Sequence, residues 1–168
     1  EDTKGRSLHR SNAIYTNIPN GRRYDGTGVS IAVNDDGFVG PHIDFQGRME
    51  QNTVSNDFTG DHGDMVAGIL GGAGNLNPMY EGMAKGVKMH IRQYSGSLPG
   101  SVQLHQDSGV MLFSSSYGNG CNAGYTSLTR QVDQEIRLNP SLIQVFSCGN
   151  SGSSNCGYGA GSGWGNIT

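Results

Sequence analysis

The stretch Val29-Ser30-Ile31-Ala32-Val33-Asn34-Asp35-Asp36-Gly37 decides the fold class. Its apolar, β-branched start follows the turn-forming residues Tyr24-Asp25-Gly26-Thr27-Gly28, so it reads as a short, largely buried strand over 29–33 that stops at Asn34-Asp35-Asp36-Gly37. Upstream, residues 1–25 are polar and read as irregular. Downstream, Met65, Val66, Ile69 and Leu70 recur at helical spacing between His62-Gly63 and Gly71-Gly72, which sets His62 at or near a helix N-terminus. Val87–Ile91 alternates as a half-buried strand, and Gly109–Phe113 reads as a buried strand running into Ser114-Ser115-Ser116. Leu128, Val132 and Ile136 give an amphipathic helix over 126–138, closed by Asn139-Pro140 and followed by a strand over Leu142–Phe146.

Strands alternating with helices imply an α/β fold, a mostly parallel sheet with helices on both faces. In such sheets functional groups gather where strands end at their carboxyl termini. Asp35, the Ser116 segment and Asn150 stand at those ends. With no internal repeat or linker, we draw no domain boundary within residues 1–168.

The chain has 168 residues, enough to bury a core without metals or disulfides. Hydrophobic residues make up 34 % and glycine adds 28 positions, which excludes a disordered class and implies many tight turns. A net charge of −3 without a basic cluster beyond Arg22-Arg23 argues against nucleic acid or an anionic membrane as partner. No apolar run reaches membrane-span length and no leader-like start is visible, so the chain reads as soluble and already processed. Cys121, Cys148 and Cys156 lack zinc-site spacing. Two arrangements stay open: a bridge between Cys121 and Cys156 in a secreted protein, with Cys148 a buried free thiol, or three reduced cysteines.

Singly, Asp35, His62 and Asn150 are turn or cap vocabulary. Their order and flanks say more. Ile31–Gly37 resembles the segment around the catalytic Asp of the subtilisin-like serine proteases. His62-Gly63-Asp64-Met65-Val66-Ala67-Gly68 resembles that family's histidine motif, and Ser147-Cys148-Gly149-Asn150-Ser151-Gly152 its oxyanion-hole segment. His42-Ile43-Asp44-Phe45, Gly82-Met83-Ala84 and Ser116-Tyr117-Gly118 resemble lesser stretches of the family, the last being its substrate-binding strand. The resemblance runs over residues 26–152.

The resemblance implies a secreted serine endopeptidase, of which this chain is the N-terminal part of the catalytic domain. A serine hydroxyl needs a base, and imidazole titrates near working pH, so His62 takes that role. Asp35 would hold the other ring nitrogen and stabilise the imidazolium, and Asn150 would donate to the oxyanion. Ser116, Tyr117 and Gly118 would pair with an extended polypeptide substrate.

The resemblance also implies a Gly-Thr-Ser segment with the nucleophile, which these residues lack. The implied partner is therefore the remaining serine-bearing segment or chain of the same protease. Asp36 stands where the family usually carries Ser or Thr, and Asp64 where it carries Thr; Asp64 is expected to raise the basicity of His62. Catalysis needs no cofactor. A structural calcium is implied through Asp44, with Asn75 and Asn77 as further oxygen donors.

Two rivals remain. A nucleotide-binding domain fails on context, because Gly26-Thr27-Gly28 precedes its strand and Gly71–Gly74 follows its helix. A catalytically inactive peptide-binding protein of the same fold is the alternative function.

Overall fold

The computed structural model describes residues 2–16, 18–36, 39–53, 62–94, 100–118, 125–147 and 149–150. In chain order the elements are α1 (Asp2–Leu8), α2 (Ser11–Ile14), β1 (Ser30–Asp35), β2 (Met49–Thr53), α3 (His62–Gly71), β3 (Lys88–Gln93), α4 (Ser101–Ser108), β4 (Leu112–Ser115), α5 (Ser127–Leu138) and β5 (Ile143–Phe146), with 3-10 turns at Ile43–Phe45 and Pro78–Tyr80. The strands form one five-stranded sheet in the order β2-β3-β1-β4-β5, and all four pairings are parallel. This is the α/β architecture read from the sequence.

The alternation of β1 explains its central place. Ile31 and Val33 join Met89, Ile91 and Ala67 of α3 in one core, while Ala32 joins Phe113, Leu104 of α4 and Leu142 in a second. Both faces are covered, so every residue from Ile31 to Asp35 is buried. The strand runs two residues past the expected stop. Neighbours on both sides continue, Asn34 lying opposite Arg92 and Ser115 and Asp35 opposite Gln93. Asn34 Nδ2 also donates to Ser115 Oγ at 3.2 Å. Ladder partners thus satisfy backbone groups that local turn chemistry had suggested were free.

Other boundaries moved for similar reasons. β3 is buried across its four central residues rather than half-buried, because both its neighbours are strands and both its faces are covered. Gly109 is the C-cap of α4 at φ 66, and β4 starts at Leu112; α4 has no strong apolar period to mark it in the sequence. Residues 2–14 carry two short helices where irregular chain was expected. Tertiary contacts support them: Arg6 pairs with Glu81 at 2.8 Å, Glu81 with Lys85 at 2.7 Å, and the Lys85 ammonium sits 4.7 Å over the Tyr15 ring. β2 is a polar edge strand held by pairing to β3 and by a Lys88–Glu50 ion pair. α5 matches its expectation; Thr126 caps it and Val132 is its buried residue. At the amino ends of the strands, His105 Nδ1 donates to the Val110 carbonyl at 2.7 Å and Nε2 accepts from Ser141 Oγ at 2.9 Å, tying α4 to the starts of β4 and β5.

Among the described residues no helix is long and apolar enough to cross a membrane. The three cysteines that could choose between disulfide and thiol lie outside the described residues, except that their neighbour Gly149 has φ 78.

Burial would raise the Glu81 carboxyl, but Lys85 and Arg6 more than offset it and hold it below the ordinary 4.5. A depressed carboxylate stabilises the fold above its unfolded pKa and ceases to do so as pH falls through the folded value. Glu81→Gln is therefore expected to cost about 1 kcal/mol at pH 7 by urea unfolding, and to match the parent protein at strongly acid pH. Equal stability at pH 7 would remove the ion-pair network from the account of the N-terminal helices.

Candidate active site

At the carboxyl end of β1 the chain presents two consecutive carboxylates. Asp35 is 2 % exposed, which no isolated carboxylate tolerates without compensation. Its Oδ1 accepts from His62 Nδ1 at 2.7 Å and from the Asp36 N–H at 2.9 Å. The Asp35 carbonyl accepts from the Tyr94 N–H at 2.7 Å, which fixes the strand end against β3. Because a carboxylate only accepts, His62 carries its proton on Nδ1 when neutral. Its side chain is 52 % exposed against 3 % for that of Asp35, so a buried anion orients a ring open to solvent.

α3 brings His62 there, and both helix ends are tied by tertiary partners. At the N-terminus, Asp36 Oδ2 accepts from the His62 N–H at 3.2 Å and Oδ1 from the Gly63 N–H at 2.8 Å. These satisfy two of the orphan donors of a helix start. At the C-terminus, the Met83 and Ala84 N–H groups donate to the Ile69 and Leu70 carbonyls, each at 2.8 Å, and an Arg48 guanidinium N–H donates to the Gly71 carbonyl at 2.7 Å. Gly82 packs against the same turn so closely that a Cβ on it would lie 2.7 Å from the Gly68 carbonyl oxygen. The helix pattern read in the sequence splits in the structure: Val66 and Leu70 pack on the core, while Met65 and Ile69 are exposed.

Asp64, expected to act on His62, directs Oδ1 to the Gly40 N–H at 3.1 Å and so ties the chain after β1 to α3. The carboxylates hydrogen-bonded to His62 are Asp35 and Asp36. Local reading missed Asp36 because its capping partners are 26 and 27 residues away.

Ser116, Tyr117 and Gly118 continue β4 past its carboxyl end, as expected. Tyr117 stacks on Tyr94 with ring centroids 5.0 Å apart and meets Phe146 edge-on at 6.2 Å, so the ends of β3 and β5 hold it from both sides. Burial pushes its hydroxyl above the ordinary tyrosine value, with a Ser115 hydrogen bond opposing. Arg92, buried beneath, is lowered from the ordinary arginine value by burial, against the influence of Tyr117 and Glu135. Neither Tyr94 nor Phe146 carried a sequence signal; only the register sets them beside Tyr117. Asn150 is exposed beyond β5, also a carboxyl end, and residues 151–168 lie outside the described residues.

Asp44 is buried, and its carboxylate acts as a loop staple: Oδ1 accepts from the Asn75 N–H at 2.7 Å. Asn77 Oδ1 accepts from the Met79 N–H at 3.0 Å, and Asn75 Nδ2 donates to the Ile43 carbonyl at 3.0 Å. Calcium needs several oxygens aimed at one point. Asp44 Oδ1 and Asn77 Oδ1 are committed to backbone amides, and no three His, Cys, Asp or Glu side chains among the described residues converge. The arrangement does not fit a cation.

Residues 26–167 match the Subtilase family. Among solved structures, the fold is similar to one titled S41 psychrophilic protease, with TM-score 0.62 and 21 % identity, covering 86 % of this chain and 53 % of that one. It is also similar to a cold adapted subtilisin-like serine proteinase, with TM-score 0.55 and 26 % identity, covering 84 % and 56 % of the two chains. MycP1 with its N-terminal propeptide removed matches at TM-score 0.56 and 21 % identity, covering 77 % and 45 %. The chain thus spans about half the length of these structures.

The close packing at the start of α3 sets a contrast between two of its glycines. A Cβ on Gly63 would lie 2.4 Å from Asp36 Oδ1, whereas one on Gly68 meets nothing within 4 Å. Gly63→Ala is expected to destabilise by about 1–3 kcal/mol through overpacking. Gly68→Ala is expected to be neutral or to stabilise by up to about 1 kcal/mol. Denaturant unfolding of both variants checks the contrast, and equal effects would refute the close approach at Gly63.

Proposed function

The chain belongs to the Subtilase family, and on that premise we propose that it supplies the base, the orienting carboxylate and an oxyanion donor of a serine endopeptidase. The observation that carries this reading is the 2.7 Å contact between a buried Asp35 and a half-exposed His62 at the carboxyl end of the central strand.

The chemistry follows from the geometry. With Nδ1 bound to Asp35, the neutral ring offers Nε2 as the basic nitrogen. His62 takes the proton from a serine hydroxyl as its oxygen attacks the peptide carbonyl, and later returns it to the leaving amine. Asp35 holds the tautomer before transfer and stabilises the imidazolium after it. Asn150 donates its side-chain amide to the developing oxyanion, a contribution of roughly 3 to 4 kcal/mol to the barrier for such a donor in subtilisin. The backbone of Ser116-Tyr117-Gly118 pairs with an extended peptide, and Tyr117 forms part of the wall beside it.

The serine comes from a further segment or chain of the same protease, outside residues 1–168. An uncovered apolar surface supports this reading. Ile143 and Val145 of β5, an edge strand among the described residues, are 49 % and 47 % exposed. Leu112, opposite Ile143, packs with the core on the α3 side, so this surface adjoins α3. Such a face is what further chain would bury.

The test treats the complete protease with a fluorophosphonate probe and identifies the labelled peptide. A labelled serine outside residues 1–168 is expected, with labelling abolished by His62→Ala and slowed about 10⁴-fold by Asp35→Asn. No labelling of the folded, complete protein would replace the enzyme with an inactive peptide-binding protein.

A further inference from the structure

We infer that Asp36 is a positioning residue for the base, fixing the main chain of His62 while Asp35 fixes its ring. This inference rests on the catalytic reading of His62. Helix N-caps ordinarily act within their own turn, through a short side chain two or three residues away. Here the cap is delivered from the end of β1, and one carboxylate takes both the His62 N–H and the Gly63 N–H. The carboxylate is itself anchored. The Asp36 N–H donates to Asp35 Oδ1, and Asp36 forms an antiparallel bridge with Gln93 at the end of β3.

The consequence is a two-point grip on a single residue. A histidine held by its ring alone can still pivot if the helix turn carrying it frays, because the first turn has no carbonyl partners for its N–H groups. His62 is the first residue of α3, the position most exposed to that fraying. Asp36 closes the turn, and its charge suits the positive end of the helix dipole. The family resemblance places Ser or Thr at this position. A hydroxyl there reaches a single amide in the usual cap, whereas a carboxylate has two oxygens and uses both. Gly63 is the matching half, since any side chain on it would intrude on Asp36 Oδ1.

Loss of the grip is expected to be local. The other end of α3 keeps its bonds from Met83, Ala84 and Arg48, and Ala67 remains in the core. The effect therefore falls on alignment of the base in the chemical step rather than on substrate binding.

The experiment uses the complete protease, with kcat and KM for a peptide substrate expressed per active site titrated by a fluorophosphonate. Asp36→Ala is expected to lower kcat by about 10- to 100-fold, the scale of a small misplacement of a reacting group, and to leave KM within about threefold. Asp36→Asn keeps one acceptor oxygen and should recover part of the loss. Amide exchange should quicken at His62 and Gly63 but not at Leu70 or Gly71. A kcat per titrated site within about twofold of the parent for Asp36→Ala would overturn the inference. If that variant does not fold, Asp36→Asn replaces it, and the same twofold result with unchanged exchange at His62 overturns it equally. Failure of the catalytic reading itself looks different: Asp35→Asn and His62→Ala would then leave the rate unchanged.

Discussion

One constraint organises this molecule: the carboxyl end of its central strand must hold a buried negative charge, and the contacts that compensate the charge also place His62. Asp35 is nearly inaccessible, so its oxygens cannot rely on water. The compensating donors, His62 and the Asp36 amide just past the strand, both reach Oδ1, while the buried Oδ2 has no hydrogen-bond partner among the described residues. A buried carboxylate deprived of one partner is costly to keep ionised, so the fold and the imidazole orientation are coupled. The same contact that compensates the strand end selects the Nδ1-protonated tautomer of His62.

The helix that carries His62 is fastened by other parts of the chain rather than by its own sequence. Asp36 holds its first amides, residues 83 and 84 hold its last carbonyls, and Arg48 reaches a third. Glycine makes the fastening possible where backbones meet, at Gly63 against Asp36 and at Gly82 against the turn of Gly68. Elsewhere α3 covers only part of its face of the sheet. Met65 and Ile69 look outward, and β5 leaves Ile143 and Val145 exposed on the side of the sheet that α3 occupies.

The carboxyl end of β4 has its own support. Tyr117 is held between Tyr94 and Phe146, so aromatic side chains from three strands form one row across the sheet's carboxyl edge. Buried Arg92 has its pKa lowered from the ordinary arginine value by burial, against the influence of Tyr117 and Glu135.

The sequence by itself determined the fold class and singled out Asp35 and His62, which the fold brings into contact. The apolar run over 29–33 read as a largely buried strand, the period of residues 65–70 as a helix begun near His62, and the helix over 126–138 was legible from Leu128, Val132 and Ile136. What it left open depended on partners distant in the chain. The extension of β1 through Asn34 and Asp35 required neighbours in β3 and β4. The short N-terminal helices required Glu81 and Lys85, and the polar edge strand β2 required β3. The roles of the acidic residues divided most sharply. Local chemistry assigned Asp64 to His62 and gave Asp36 only a departure from a family pattern, whereas the fold aims Asp64 at Gly40 and Asp36 at the start of α3. Periodicity and turn chemistry act between near neighbours in the chain and are therefore written in the sequence. Hydrogen bonds from a strand end to a helix 26 residues away depend on how the elements pack, and only the tertiary structure decided them.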